Sequence, residues 1–178
     1  MESLDLTVLA DALLWRRVGH SVTLVTLVET WGSAPRPPGA LLAVRDDGVV
    51  SGSVSGGCVE DDLIARVKAA PTQLQKPSML SYGVTQEEAS RFGLPCGGTL
   101  RLVQEPLVDT RWVEAVLART AAHQLVVRHL TLSSGAVTLN GGTRGQAMQF
   151  DGTTLTTVFG PRWRLLLIGA GQLSHAVA

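Results

Sequence analysis

Two cysteines stand beside glycine pairs, in Gly56-Gly57-Cys58 and in Cys96-Gly97-Gly98. An ionised thiol is a nucleophile and a soft metal ligand, and adjacent glycines let the backbone come close to whatever the sulfur meets. The first cysteine closes Ser51-Gly52-Ser53-Val54-Ser55-Gly56-Gly57-Cys58, a run of hydroxyls and glycines placed just before a helical pattern. Backbone amides and hydroxyls gathered at a helix start can receive an oxyanion such as phosphate. Glu60, Asp61 and Asp62 follow at once. Their charge suits the helix dipole but opposes a bound anion and a thiolate at Cys58. Arg36, in a proline-rich segment, or a metal ion would offset them. The run is no Walker loop, since no Gly-Lys-Ser/Thr follows, and Gly52-Ser53-Val54-Ser55-Gly56 only partly imitates a G-x-S-x-G elbow. His20, His123, His129 and His175 show no zinc-ligand spacing with either cysteine. The plainer alternative makes each cysteine a small buried hydrophobe where chains pass closely.

The elements that must position these residues follow from periodicity. Leu6, Leu9, Leu13 and Leu14 predict a helix over residues 4–18 that stops at Gly19. Residues 21–30, dense in Val and Thr, predict a buried strand. Trp31 to Gly39, with three prolines, is a stiff loop carrying Arg36. Asp46-Asp47-Gly48 predicts a hairpin between strands 41–44 and 49–54. Val59, Leu63, Ile64 and Val67 give a helical stripe. A strand over 79–82, a short helix over 85–92, a strand over 99–104 and a helix over about 109–122 follow. Four short strands, at 125–132, 136–139, 146–150 and 154–158, then read as an antiparallel meander.

Residues 164–168 predict a buried strand, followed by Gly169-Ala170-Gly171 and a helical opening. Strand, G-x-G turn and helix begin a dinucleotide-binding unit, although Ser174 stands at the third glycine position. The expected fold class is an α+β domain of mixed sheet and helices, followed by the truncated start of a Rossmann-like α/β domain. The expected divisions are 1–107 for the motif-bearing part, 108–160 as a helix and strands of the same domain, and 161–178 as the start of the second. Leu165 to Ile168 would then need cover, either from the first domain or from a second copy in a homodimer.

Fifteen basic and fifteen acidic residues leave no net charge, which argues against a nucleic-acid partner. No long apolar run and no signal-peptide pattern occur, so a cytoplasmic protein with free thiols and no membrane contact is expected.

Taken together, residues 29–40, residues 52–60, Cys96-Gly97-Gly98 and Glu105-Pro106-Leu107 resemble the XdhC/CoxI family. Its members are accessory proteins of molybdenum hydroxylases such as xanthine dehydrogenase. The resemblance implies a chaperone, more a carrier than an enzyme. It would bind molybdenum cofactor (molybdopterin), protect it during sulfuration by a cysteine desulfurase, and deliver it to the apo-hydroxylase. It further implies cofactor contacts from Ser55, Gly56, Gly57 and Cys58 on one wall and Cys96, Gly97 and Gly98 on the other. Arg36 would take the phosphate, and Cys58 and Cys96 would face molybdenum. The competing reading is an NAD(P)-dependent oxidoreductase built on the Rossmann-like segment.

Overall fold

The computed structural model describes residues 4–31, 36–57, 59–70, 74–83 and 99–161. Strand β1 (Val22–Trp31) is its centre. Every residue from Val22 to Val28 is buried, so the strand must be covered on both faces. β2 (Leu41–Arg45) and β5 (Thr99–Pro106) pair with its two edges, and β3 (Val50–Gly52) and β4 (Ser78–Tyr82) complete a five-stranded antiparallel sheet in the order β3-β2-β1-β5-β4. The β1–β5 register shifts between Leu27 and Glu29, which makes Val28 the additional residue of a bulge.

Alternation along β1 divides the core. Val25 and Leu27, with Leu42, Val44, Leu100 and Leu102, pack against Leu63 of helix α2 (Glu60–Ala69) and against Val54, Val59 and Tyr82. Val22 and Leu24 face the other way. There they meet Val8, Leu9, Ala12 and Leu13 of α1 (Leu4–Arg17) and Trp112, Val113 and Val116 of α3 (Arg111–Ala121). The expected strand over 49–54 stops early, at Gly52. That residue has φ +86, and a Cβ there would lie 2.3 Å from the Leu41 carbonyl oxygen and 2.6 Å from Val8. Only glycine lets the chain turn out beneath α1 at this point.

A second antiparallel sheet contains β6 (Val126–Thr131), β7 (Val137–Gly141), β8 (Gln149–Phe150) and β9 (Thr154–Phe159). Its order is β7-β6-β9-β8, not the sequential meander expected. The two hairpins pair through β6 and β9, the strands that bury Val126, Val127, Leu130, Leu155 and Phe159, while the mostly exposed β7 takes an edge. Burial of the apolar strands thus outweighs chain order. Leu130 and Leu155 pack on Val28 and Val103, joining the two sheets. The molecule is therefore a mixed α/β structure with antiparallel sheets. The expected helix over 85–92 and the Rossmann-like segment, including Leu165 to Ile168, lie outside the described residues. No helix among the described residues is long and apolar enough to cross a membrane.

One ion pair bridges the sheets. Arg128 of β6 donates from Nη2 to Oε2 of Glu105 on β5 at 2.5 Å, both side chains being buried. The indole of Trp112 lies 3.9 Å from the guanidinium carbon, capping the pair from α3. Removing one partner leaves a charge in the core, which costs about 3–5 kcal/mol. Arg128→Ala and Glu105→Ala are each expected to lose about that much in urea titration, while the joint Arg128→Met, Glu105→Leu replacement should recover most of it. Losses that simply add in the joint variant would show that the two charges are not coupled.

Candidate functional site

Antiparallel pairing across the five-stranded sheet brings the ends of β1, β3 and β4 and the starts of β2 and β5 to one end of it. The Arg36 segment, the serine–glycine loop after β3, and the chain leaving β4 at Tyr82 and entering β5 at Thr99 therefore all depart from the same side. β3 and β5 are three strand spacings apart in the sheet order, roughly 14 Å.

The serine–glycine loop is built around a carboxylate of its own chain. Glu60, the first residue of α2, accepts at Oε1 from the Ser53 hydroxyl (2.7 Å) and from the amides of Val54 (3.0 Å) and Ser55 (2.9 Å). At Oε2 it accepts from the Ser55 hydroxyl and from the amides of Gly57 (3.0 Å) and Val59 (3.3 Å). The hydroxyls close the network: Ser53 Oγ accepts from the Gly56 amide at 2.9 Å and Ser55 Oγ from the Val59 amide at 3.0 Å. Gly56 and Gly57 adopt φ +81 and +113, the left-handed geometry that turns these amides inward. Burial alone would push the Glu60 carboxyl up. The hydroxyls of Ser55 and Ser53 and the amides of Ser55 and Val54 outweigh it and bring the group down to about 2.

This geometry corrects the expectation that the loop's amides are open to a phosphate. They already hold an anion. Ser55 is 1% exposed and fully engaged, so it shapes the loop from inside and does not line a ligand surface. Gly56 and Gly57 are exposed and form the loop's outer surface. Cys58, Cys96, Gly97 and Gly98 lie outside the described residues.

Arg36 opens the short segment that returns to β2. The segment is tied to β1 by Gly39 N to the Leu27 carbonyl (2.7 Å) and Leu27 N to the Ala40 carbonyl (2.9 Å). Ala40 shares a core cluster with Val54 and Val59 of the serine–glycine loop's face, while a Cβ at Gly39 would lie 3.6 Å from Met148, which packs with Val28 and Val103 on the other face. The Arg36 Nε is buried without a hydrogen-bond partner, and the guanidinium enters no ion pair among the described residues. A buried, unsatisfied charged donor is costly unless something completes it.

Tyr82, at the end of β4, donates from its buried hydroxyl to Asp62 Oδ2 at 2.7 Å, and Arg66 Nε donates to the same oxygen at 2.6 Å. Burial and then the Asp62 carboxylate push the Tyr82 phenol upward, so it stays protonated. Asp62 thus fastens α2 to the sheet end, a role its place in an acidic first turn does not disclose. A cleft bounded by Arg16, Thr23, Leu74, Pro106 and Leu107 lies at the opposite end, where β1 begins and β5 finishes, away from all of these groups.

The described part of the site lies largely within residues 15–83, which match the model of the XdhC and CoxI family. This stretch is an XdhC and CoxI family segment. Over 170 residues the chain is 33% identical to the "Molybdenum cofactor insertion chaperone PaoD" of Escherichia coli (strain K12), covering 90% of this chain and 49% of that protein. Over 94 residues it is 34% identical to a "Probable xanthine dehydrogenase" subunit of Bacillus subtilis (strain 168), covering 52% of this chain and 28% of that protein. A crystal structure of a xanthine dehydrogenase from Bacillus halodurans shares the fold, with a TM-score of 0.63 at 21% identity over 90% of this chain and 53% of that one. The chain spans about half the length of these relatives, or less.

Within the XdhC/CoxI segment, Glu60→Gln should test the loop directly. The neutral amide sets an N–H against the loop's N–H donors, with an expected loss of about 2–3 kcal/mol at neutral pH. Because the native carboxyl sits at about 2 against an ordinary 4.5, its contribution is complete above about pH 4.5 and disappears as pH falls toward 2. Urea titrations across that window should show a shallower acid decline for the variant. An unchanged decline would mean that Glu60 is not the loop's acceptor.

Proposed function

We propose that this protein carries molybdenum cofactor and delivers it to an apo molybdenum hydroxylase, with the loop end of the five-stranded sheet receiving the cofactor. The single observation that carries this reading is Arg36. It is a half-buried arginine whose Nε has no hydrogen-bond partner among the described residues, and its segment lies at the same end of the sheet as the family's serine–glycine loop with its exposed glycines. Molybdopterin offers a phosphate, a polar pterin and a soft metal–dithiolene centre. A guanidinium answers the phosphate, exposed glycine backbone lets a flat ring approach, and thiols suit a soft centre. Similarity to a protein named as a molybdenum cofactor insertion chaperone supports the same reading.

The finer assignments belong to this proposal too. Cys58 and Cys96 face the metal centre, and Gly56, Gly57, Gly97 and Gly98 face the ligand. Ser55 contributes through the shape of the loop. A cysteine desulfurase supplies sulfur to the bound cofactor, and residues 164–178 mediate a homodimer.

The test is direct. Protein loaded with cofactor should release a fluorescent oxidised pterin on acid treatment and show no dinucleotide binding; the reverse result would favour an oxidoreductase. Arg36→Ala should weaken cofactor retention about tenfold or more, the scale of one charge-assisted contact of about 1.5–3 kcal/mol, and most strongly at low ionic strength. Retention unchanged at every salt concentration would remove Arg36 from the site. Cys58→Ser is expected to lower retention or sulfuration with an unchanged urea midpoint; loss of the fold would make that cysteine a core residue instead.

A further inference from the structure

We propose that Glu60 is the positioning residue of this site: its carboxylate is the internal anion around which the serine–glycine loop closes, and it turns the backbone of Gly56 and Gly57 outward. On the cofactor reading above, what it positions is this exposed glycine backbone. The amides of Gly57 and Val59 both end on the same oxygen, Oε2. Val54 N and Ser55 N end on the other. Inward-pointing amides repel one another, so a loop of this form is stable only when an acceptor sits at its centre. Here the acceptor is part of the chain, one residue into the helix that follows. The two serines reinforce it, each donating to the carboxylate while accepting an amide from farther along the loop.

The other acids of this turn do not share the role. Asp62 is directed to Tyr82 and Arg66. A ligand phosphate does not share it either, because the amides it would need are occupied. The loop therefore meets the cofactor with its outer surface, Gly56 and Gly57, and the phosphate falls to Arg36.

The experiment uses the 178-residue chain, labelled with nitrogen-15 and loaded with cofactor in parallel. In Glu60→Ala the amide protons of Val54, Ser55, Gly57 and Val59 should lose the downfield position of charge-assisted bonds, and added formate should restore it by refilling the centre. Pterin retained after loading should fall about tenfold and recover with formate, the scale at which supporting groups around a ligand site act. Amide signals that move and are restored while retention stays constant would uphold the positioning role and defeat the cofactor reading of the loop. Amide signals that do not move, or that formate does not restore, would overturn the proposal. Should Glu60→Ala fail to fold, Ser53→Ala should displace the Gly56 amide and Ser55→Ala the Val59 amide, each with a smaller loss of retention. Loss of neither signal would overturn it equally.

Discussion

A strand buried on both faces must be covered twice, and the rest of this structure follows from that need. With every residue from Val22 to Val28 out of solvent, β1 requires one layer over Val25 and Leu27 and a different one over Val22, Leu24 and Val28. Helix α2 and the loop that precedes it supply the first. α1, α3 and the second sheet supply the other. A buried carboxylate lies at each of the two interfaces, Glu60 on α2 and Glu105 on β5, and the two are neutralised by different chemistry. Glu105 meets a guanidinium stacked on an indole, a rigid joint between two sheets. Glu60 meets amides and hydroxyls, which carry no net charge of their own. The first arrangement fixes where layers dock; the second fixes the course of a loop.

Much of this fold is legible in the sequence because its signals are local. The leucine spacing of α1, the Asp46-Asp47-Gly48 hairpin and the β-branched density of β1 depend on residues near one another in the chain, and the elements lie within a residue or two of their expected bounds. Strand order in the second sheet is not legible, because it depends on which apolar strands find each other across long separations. β3 reads too long because its alternation continues past Gly52, while the obstacle is Val8 and the Leu41 carbonyl, both distant in sequence.

The site is legible in its parts and not in its wiring. Arg36 and the glycines stand out as unusual, yet the loop amides look free for a ligand because nothing local distinguishes an empty anion nest from one filled by its own chain. Glu60 suits the first turn of a helix for its favourable dipole, a true reason that hides a larger one. The Arg128–Glu105 pair is not legible either, because Glu105 stands just past the expected end of its strand at 104 and its partner is 23 residues away in another sheet.

The bulge at Val28 gives β1 a change of phase. Before it, odd-numbered residues point toward α2; beyond it, Thr30 pairs with Leu100 of the α2 face, and Glu29 and Trp31 are turned to the opposite one. Glu29 accordingly reaches Arg101 across the sheet, and Trp31 stands 78% exposed. One inserted residue thus lets a single strand serve two surfaces: its first half seals the layer under α2 with Val25 and Leu27, and the same odd-numbered series then carries an indole into solvent on the far side without taking a place from that layer.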